Sequence, residues 1–130
     1  MDALVQSAFV ITAVLSKVAA ENNLSLTQLR VLAILRDRRV RMTALASYLG
    51  LEKSTMSGLV ERAEKRGLVA REPSPSDRRV VEVFLTREGK ALASRGYDQV
   101  EAALTDLTGA ISDAERTRLR TLLERMLTET

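Results

Sequence analysis

The 130-residue chain contains no cysteine, no histidine and no tryptophan. Without cysteine it can form no disulfide framework and has no thiol with which to sense oxidants. Without cysteine or histidine it lacks the usual transition-metal ligands, so no metal and no other cofactor is expected. The same absences remove Cys- and His-based nucleophile systems. No Gly-rich phosphate loop and no carboxylate pair at an acid/base spacing takes their place, so an enzyme is not expected. Aromatic residues make up only 3% of a chain that is 45% hydrophobic, and Leu, Val and Ala must therefore fill the core. The only prolines, Pro73 and Pro75, stand together in one Pro-Ser stretch. There are no internal repeats.

Long apolar runs are also scarce. Ala3 to Ser16 is uncharged, but Lys17 cuts it short of the ~18 apolar residues of a membrane span. Met1-Asp2 offers no basic start for a secretory signal. A cytoplasmic protein without a membrane partner is expected. The length fits one domain over residues 1–130.

The net charge of +3 is unevenly spread. Arg30 to Arg79 holds twelve Lys/Arg against six Asp/Glu, and the remainder holds eight against eleven. The positive excess, including Arg36, Arg38, Arg39 and Arg41, falls on one central segment that could face phosphate. A solvated charge run is the plainer explanation of that cluster.

Within this segment the apolar spacing predicts two short helices around a turn. Leu45, Ala46 and Leu49 share one helical face, and Gly50 can end that helix in the left-handed conformation. A second helix starts near Glu52 to Ser54, with Met56, Leu59, Val60 and Ala63 inward, and stops at Gly67. Its other side carries Lys53, Ser54, Gly58, Glu61, Arg62 and Lys65, with Thr55 and Ser57 on the flanks. Small hydroxyl residues at the N-terminal end allow close approach to phosphates and base edges, and Arg62 can reach further. Taken alone, this is also how a solvated helix surface reads.

Leu68–Glu72 and Val80–Leu85 are strand candidates, the second from the alternation of Val81, Val83 and Leu85 with Glu82 and Phe84. Pro73 to Arg79 between them reads as a loop. Asp77 can hold one arginine or the loop backbone, freeing the other arginine for a minor groove. An ordinary charged hairpin tip would look the same.

Helices are expected on both flanks. Asp2 to Asn22 carries Leu4, Ala8, Ile11, Leu15, Val18 and Ala19 on one face, with Val5, Phe9, Val10 and Val14 beside them. This is more apolar surface than one core face needs. Ser25-Leu26-Thr27-Gln28 reads as a capping box for a helix with Leu29, Leu32, Ala33 and Leu35 inward. Thr86 can cap a helix running to about Leu107, and Ser112 to Glu115 is a second capping box before a stripe of Leu119, Leu122, Leu123, Met126 and Leu127.

These parts together resemble the MarR family of bacterial winged-helix transcription regulators. The resemblance lies in Leu45-Ala46, Leu49-Gly50-Leu51, Ser54-Thr55-Met56-Ser57, Leu59-Val60-Glu61-Arg62 and Arg66-Gly67-Leu68-Val69-Ala70-Arg71. It continues through Asp77-Arg78-Arg79 to Leu85-Thr86-Arg87-Glu88-Gly89. It implies a mainly α fold with a small β-hairpin wing: a winged helix-turn-helix over about 25–86, with dimerisation helices over about 2–22 and 86–128. It also implies a homodimeric repressor that binds a pseudo-palindromic double-stranded DNA operator and is released by a small-molecule effector. The family's other trigger, cysteine oxidation, is closed to this chain. The resemblance places DNA contacts at Lys53, Ser54, Thr55, Ser57, Gly58, Arg62, Lys65, Asp77, Arg78 and Arg79. An effector crevice would draw on Val10, Val14 and Leu29, and nothing in the sequence selects its ligand. The rival reading is a winged-helix module that binds protein.

Overall fold

The computed structural model describes residues 1–128. Four of its helices, all but the third and fourth, begin at a side-chain cap. Asp2 accepts a hydrogen bond from the Leu4 N–H (2.7 Å) and opens α1, Ala3–Glu21. Ser25 and Gln28 form the expected capping box at the start of α2, Leu26–Leu35. A two-residue strand, β1 (Val40–Arg41), leads into α3 (Met42–Leu49), which is followed by α4 (Lys53–Lys65). The hairpin is β2 (Val69–Pro73) and β3 (Val81–Leu85). The Thr86 hydroxyl accepts from the Gly89 N–H (3.1 Å) and starts α5, Arg87–Thr108. The second capping box, with Glu115 N–H to Ser112 Oγ at 3.1 Å, starts α6, Asp113–Thr128.

The strands form one antiparallel sheet in the order β1-β3-β2. Val40 lies opposite Val83 and Arg41 opposite Glu82, while Glu72 lies opposite Glu82 from the other side. The hairpin is therefore the outer part of a three-stranded sheet. β1 is not foreseeable from sequence, because two residues carry no periodicity.

The core lies between α4, α2, α3 and the inner face of the sheet. Leu45, Met56 and Val83 are wholly buried, with Leu35, Val60 and Val69 around them. Within α2 the buried residues are Val31, Leu32 and Leu35. Leu29 is half-buried and Ala33 is exposed, which corrects the expected inward face. The face of α2 turns toward α5 and β3 and leaves Ala33 at the rim of a crevice described below.

Gly89 shows how closely α5 crosses the start of the hairpin. A Cβ there would stand 1.9 Å from the Leu68 carbonyl oxygen. That carbonyl accepts the Thr86 N–H (3.0 Å), and the Thr86 hydroxyl donates to the Gly67 carbonyl (2.5 Å). The Leu85-Thr86-Arg87-Glu88-Gly89 run thus combines a cap with a point of glycine-only clearance.

The terminal helices are poorly covered. Only Val18 and Ala19 of α1 are buried, while Leu4, Val5, Val10 and Phe9 are exposed, Phe9 at 63%. Helix α6 has no buried residue. By length and composition α1 is apolar enough to cross a membrane despite Lys17, contrary to the expectation that no segment of the chain would be.

Candidate nucleic-acid interface

Helices α3 and α4 meet at a tight turn. Gly50 takes φ 65° and ψ 31°, and its neighbour Leu51 donates to the Ala46 carbonyl at 3.0 Å, closing α3 in the left-handed turn that glycine favours. Helix α4 buries Met56, Leu59, Val60 and Ala63, and this fixes which side faces outward. Lys53, Ser54, Thr55 and Ser57 are all exposed at its start. Among the described residues, none of these four side chains is hydrogen-bonded within the chain, and Glu52 makes no side-chain cap. The first turn of α4 therefore presents unpaired hydroxyls and backbone N–H groups to whatever approaches it.

One turn further along, Gly58 is half-buried and Arg62 is exposed. The Arg62 guanidinium leans back along the helix, so that Nη1 lies 3.4 Å from where a Gly58 Cβ would be. Gly58 leaves the room in which Arg62 lies. Lys65 sits 3.8 Å from Glu61 in an exposed pair that contributes little to stability.

The hairpin tip is held from inside. Ser74, at 2% exposure, donates its N–H to the Val80 carbonyl (2.7 Å), and its hydroxyl lies 3.0 Å from that of Ser76. Arg79 donates to Asp77 Oδ1 through its backbone N–H (3.0 Å) and Nε (3.1 Å), and to Oδ2 through Nη2 (3.1 Å). These bonds, with the positive charge of Arg41 nearby, hold the Asp77 carboxyl below its ordinary range. The Arg79 side chain nevertheless remains 90% exposed, so it is aimed outward. Sequence left open which arginine Asp77 holds; it holds Arg79, and Arg78 is exposed with no partner among the described residues. The expected division into one held and one free arginine does not follow, because Arg79 is held and still faces solvent.

The remaining arginines divide by role. Arg39 pairs with Glu72 and Glu82 and stacks over Phe84, 4.3 Å from the ring centre. Arg36 lies over Tyr97 (3.8 Å), and Arg38 donates to the Ile34 carbonyl (3.2 Å). Arg66 donates to the Asn23 carbonyl (2.6 Å), and Arg71 pairs with Glu64 (2.9 Å). Much of the expected basic cluster thus links elements of the fold. The links of Arg36, Arg39 and Arg66 join distant positions, which is why sequence spacing does not reveal them, whereas those of Arg38 and Arg71 are local.

A crevice of about 440 Å³ opens between α1, α2 and α5. Its surface is mostly apolar, with Leu15, Leu29, Leu32 and Val100 among its walls, and Arg30, Arg36 and Tyr97 also line it. Leu29 was expected there. Val10 and Val14 do not line it; α1 reaches the crevice at Leu15 instead.

Residues 22–80, which span α2 to the hairpin tip, match the model of the MarR family. The chain is 33% identical over 116 residues to the HTH-type transcriptional regulator PecS of Dickeya dadantii, covering 86% of this chain and 70% of that one. The chain belongs to the MarR family. A second MarR-type relative, the HTH-type transcriptional repressor NicR of Pseudomonas putida, is 32% identical over 89% of this chain and 74% of its own length. The solved structure of CouR from Rhodococcus jostii RHA1, bound to p-coumaroyl-CoA, superposes with a TM-score of 0.83 and 28% identity. That superposition covers 98% of this chain and 90% of CouR. The MarR fold accounts for the six helices and three-stranded sheet of the described residues, and these relatives are transcription regulators, not enzymes.

Proposed function

We propose that this MarR-family regulator binds an operator as a homodimer and acts as a repressor. In this reading α4 lies in the major groove through Lys53, Ser54, Thr55, Ser57, Gly58, Arg62 and Lys65, while Asp77, Arg78 and Arg79 bring the wing to the adjacent minor groove. Residues 25–86 form the DNA-binding part, and the flanking helices form the dimer. The observation that carries this is Arg79, a guanidinium oriented by two bonds to Asp77 and still almost fully exposed, in a chain whose α4 also starts with unpaired donors.

Surface area supports the dimer. The chain exposes 9021 Å², against about 6,800 Å² for a compact protein of its mass. The excess is of the size that permanent homodimers bury. The effector reading is supported by the crevice. Its apolar walls with Arg30 and Arg36 in the lining suit an organic anion, and CouR, similar in structure to this chain, was solved with p-coumaroyl-CoA.

The test is a binding titration on a duplex that the wild-type protein selects from a random-sequence pool, and on a scrambled duplex, over a series of salt concentrations. Tighter binding to the selected duplex, with affinity falling steadily as salt rises, supports operator reading. Weak, salt-insensitive binding to both would favour the protein-binding alternative.

A further inference from the structure

Two carboxylates face one another across the wing. Glu72 on β2 and Glu82 on β3 are direct cross-strand partners, the placement in which like charges oppose strand pairing. They occupy the last paired level but one before the tip, with only Pro73 and Val81 beyond them. The hairpin that carries Asp77 and Arg79 is therefore built with a repulsive pair at its neck.

Arg39 offsets that repulsion, and it does so from outside the hairpin. It belongs to the segment between α2 and β1. One edge of its guanidinium pairs with Glu72, and its Nε donates to Glu82 at 3.2 Å. The guanidinium plane also lies over the Phe84 ring, two residues along β3 on the same face as Glu82. A single side chain thus touches both wing strands and ties them to the body of the domain. Arg41, opposite Glu82 in β1, adds positive charge to the same face and lies close enough to influence Asp77.

We propose that Arg39 is the positioning residue of the wing: it holds Glu72 and Glu82 together so that Arg79 is presented at a fixed place, without itself touching DNA. This rests on the reading that the wing enters a groove. Lysine is a poor substitute, because its ammonium lacks the planar fork that can meet two carboxylates edge-on while lying flat over the ring.

The experiment is a double-mutant cycle in Arg39 and Glu72, read on the selected duplex, with Arg79→Ala as a reference. Arg39→Ala should lower affinity about tenfold, and Arg39→Lys should recover little of the loss. Glu72→Gln in the wild-type background should leave affinity unchanged or reduced, because Arg39 loses an anchor. In the Arg39→Ala background the same change should strengthen binding, because the repulsion is gone. Amide exchange supplies a readout without DNA: the Ser74 and Val80 N–H groups, both hydrogen-bonded in the wing, should exchange faster in Arg39→Ala while that of Val60 in the core does not.

Three results would overturn the proposal. Wild-type affinity in Arg39→Ala alongside a weakened Arg79→Ala would mean that the wing stands without its brace. A loss in Arg39→Ala that is the same with and without Glu72, with a salt slope lower by about one unit, would mean that Arg39 grips phosphate directly. Equal binding by wild type and Arg79→Ala would remove the groove-reading wing itself, and the role of Arg39 in it.

Discussion

At the residue scale the wing depends on Asp77 and Arg79. The carboxyl is held low first by the Arg79 side chain, then by the Arg79 backbone N–H, with Arg41 adding to both and burial opposing them. A lowered value means that the anchor is present above the ordinary aspartate range and is lost only as pH falls through the lowered value. The Asp77 carboxyl should therefore titrate by NMR below the ~3.9 of an unstructured aspartate, and return toward it in Arg79→Ala. A midpoint at or above the ordinary value in the wild type would deny the anchor. For binding, Arg79→Ala should weaken all DNA and lower the salt slope by about one unit, and Asp77→Ala should copy it in part. Arg62→Ala should instead cost roughly 1–3 kcal/mol at one operator position and relax the preference there. Titrations on the selected and scrambled duplexes separate the two patterns. If all three variants bind like wild type, Met42 to Arg79 is not a DNA-reading surface.

At the scale of the element, two glycines should respond in opposite ways. Gly58 lies inside α4, where alanine is more favourable by about 1 kcal/mol. Its substitution by alanine should raise the melting temperature slightly, since a Cβ meets only the flexible end of Arg62. It should still lower operator affinity, because the added methyl stands where α4 approaches the groove. Unchanged affinity would show that this face is not against DNA. Gly89→Ala should do the reverse of stabilising: a Cβ 1.9 Å from the Leu68 carbonyl must move α5 or the hairpin. A loss of at least ~2 kcal/mol is expected, read as a fall in melting temperature at fixed protein concentration. The helix starts were legible in the sequence because caps are local: Ser25 with Gln28, Thr86 with Gly89, and Ser112 with Glu115 all act within three residues. The helix-turn-helix was legible because Gly50 and the apolar spacing of α4 are equally local. What escaped the sequence is held by distant partners. β1 is too short to show a pattern, and Arg39 reaches residues 33 and 43 positions away. Ala33 looks inward by spacing alone and is exposed because α2 turns its face toward α5 and β3.

At the scale of the whole molecule, the terminal helices carry apolar surface that one chain does not bury. Leu122 and Leu123 on α6 are each more than a third exposed, and α1 adds Leu4, Val5, Phe9 and Val10. Changing Leu122 and Leu123 together to Asp should convert a micromolar dimer into monomers, because both charges would need to be desolvated at the interface. Sedimentation reads this directly, and a wild-type monomer at concentrations that bind DNA would refute it. The proposed two-fold pairing would carry a consequence for the DNA as well. A symmetric dimer with α4 in the major groove on each side must read two inverted half-sites about one helical turn apart. Selection of bound sequences from a random pool by the wild-type protein therefore tests the central claim most directly. The expected result is an enriched inverted repeat with half-site centres roughly 10 base pairs apart, bound by two chains per duplex. Failure to enrich any sequence, or enrichment of a single unsymmetrical site bound by one chain, would contradict it.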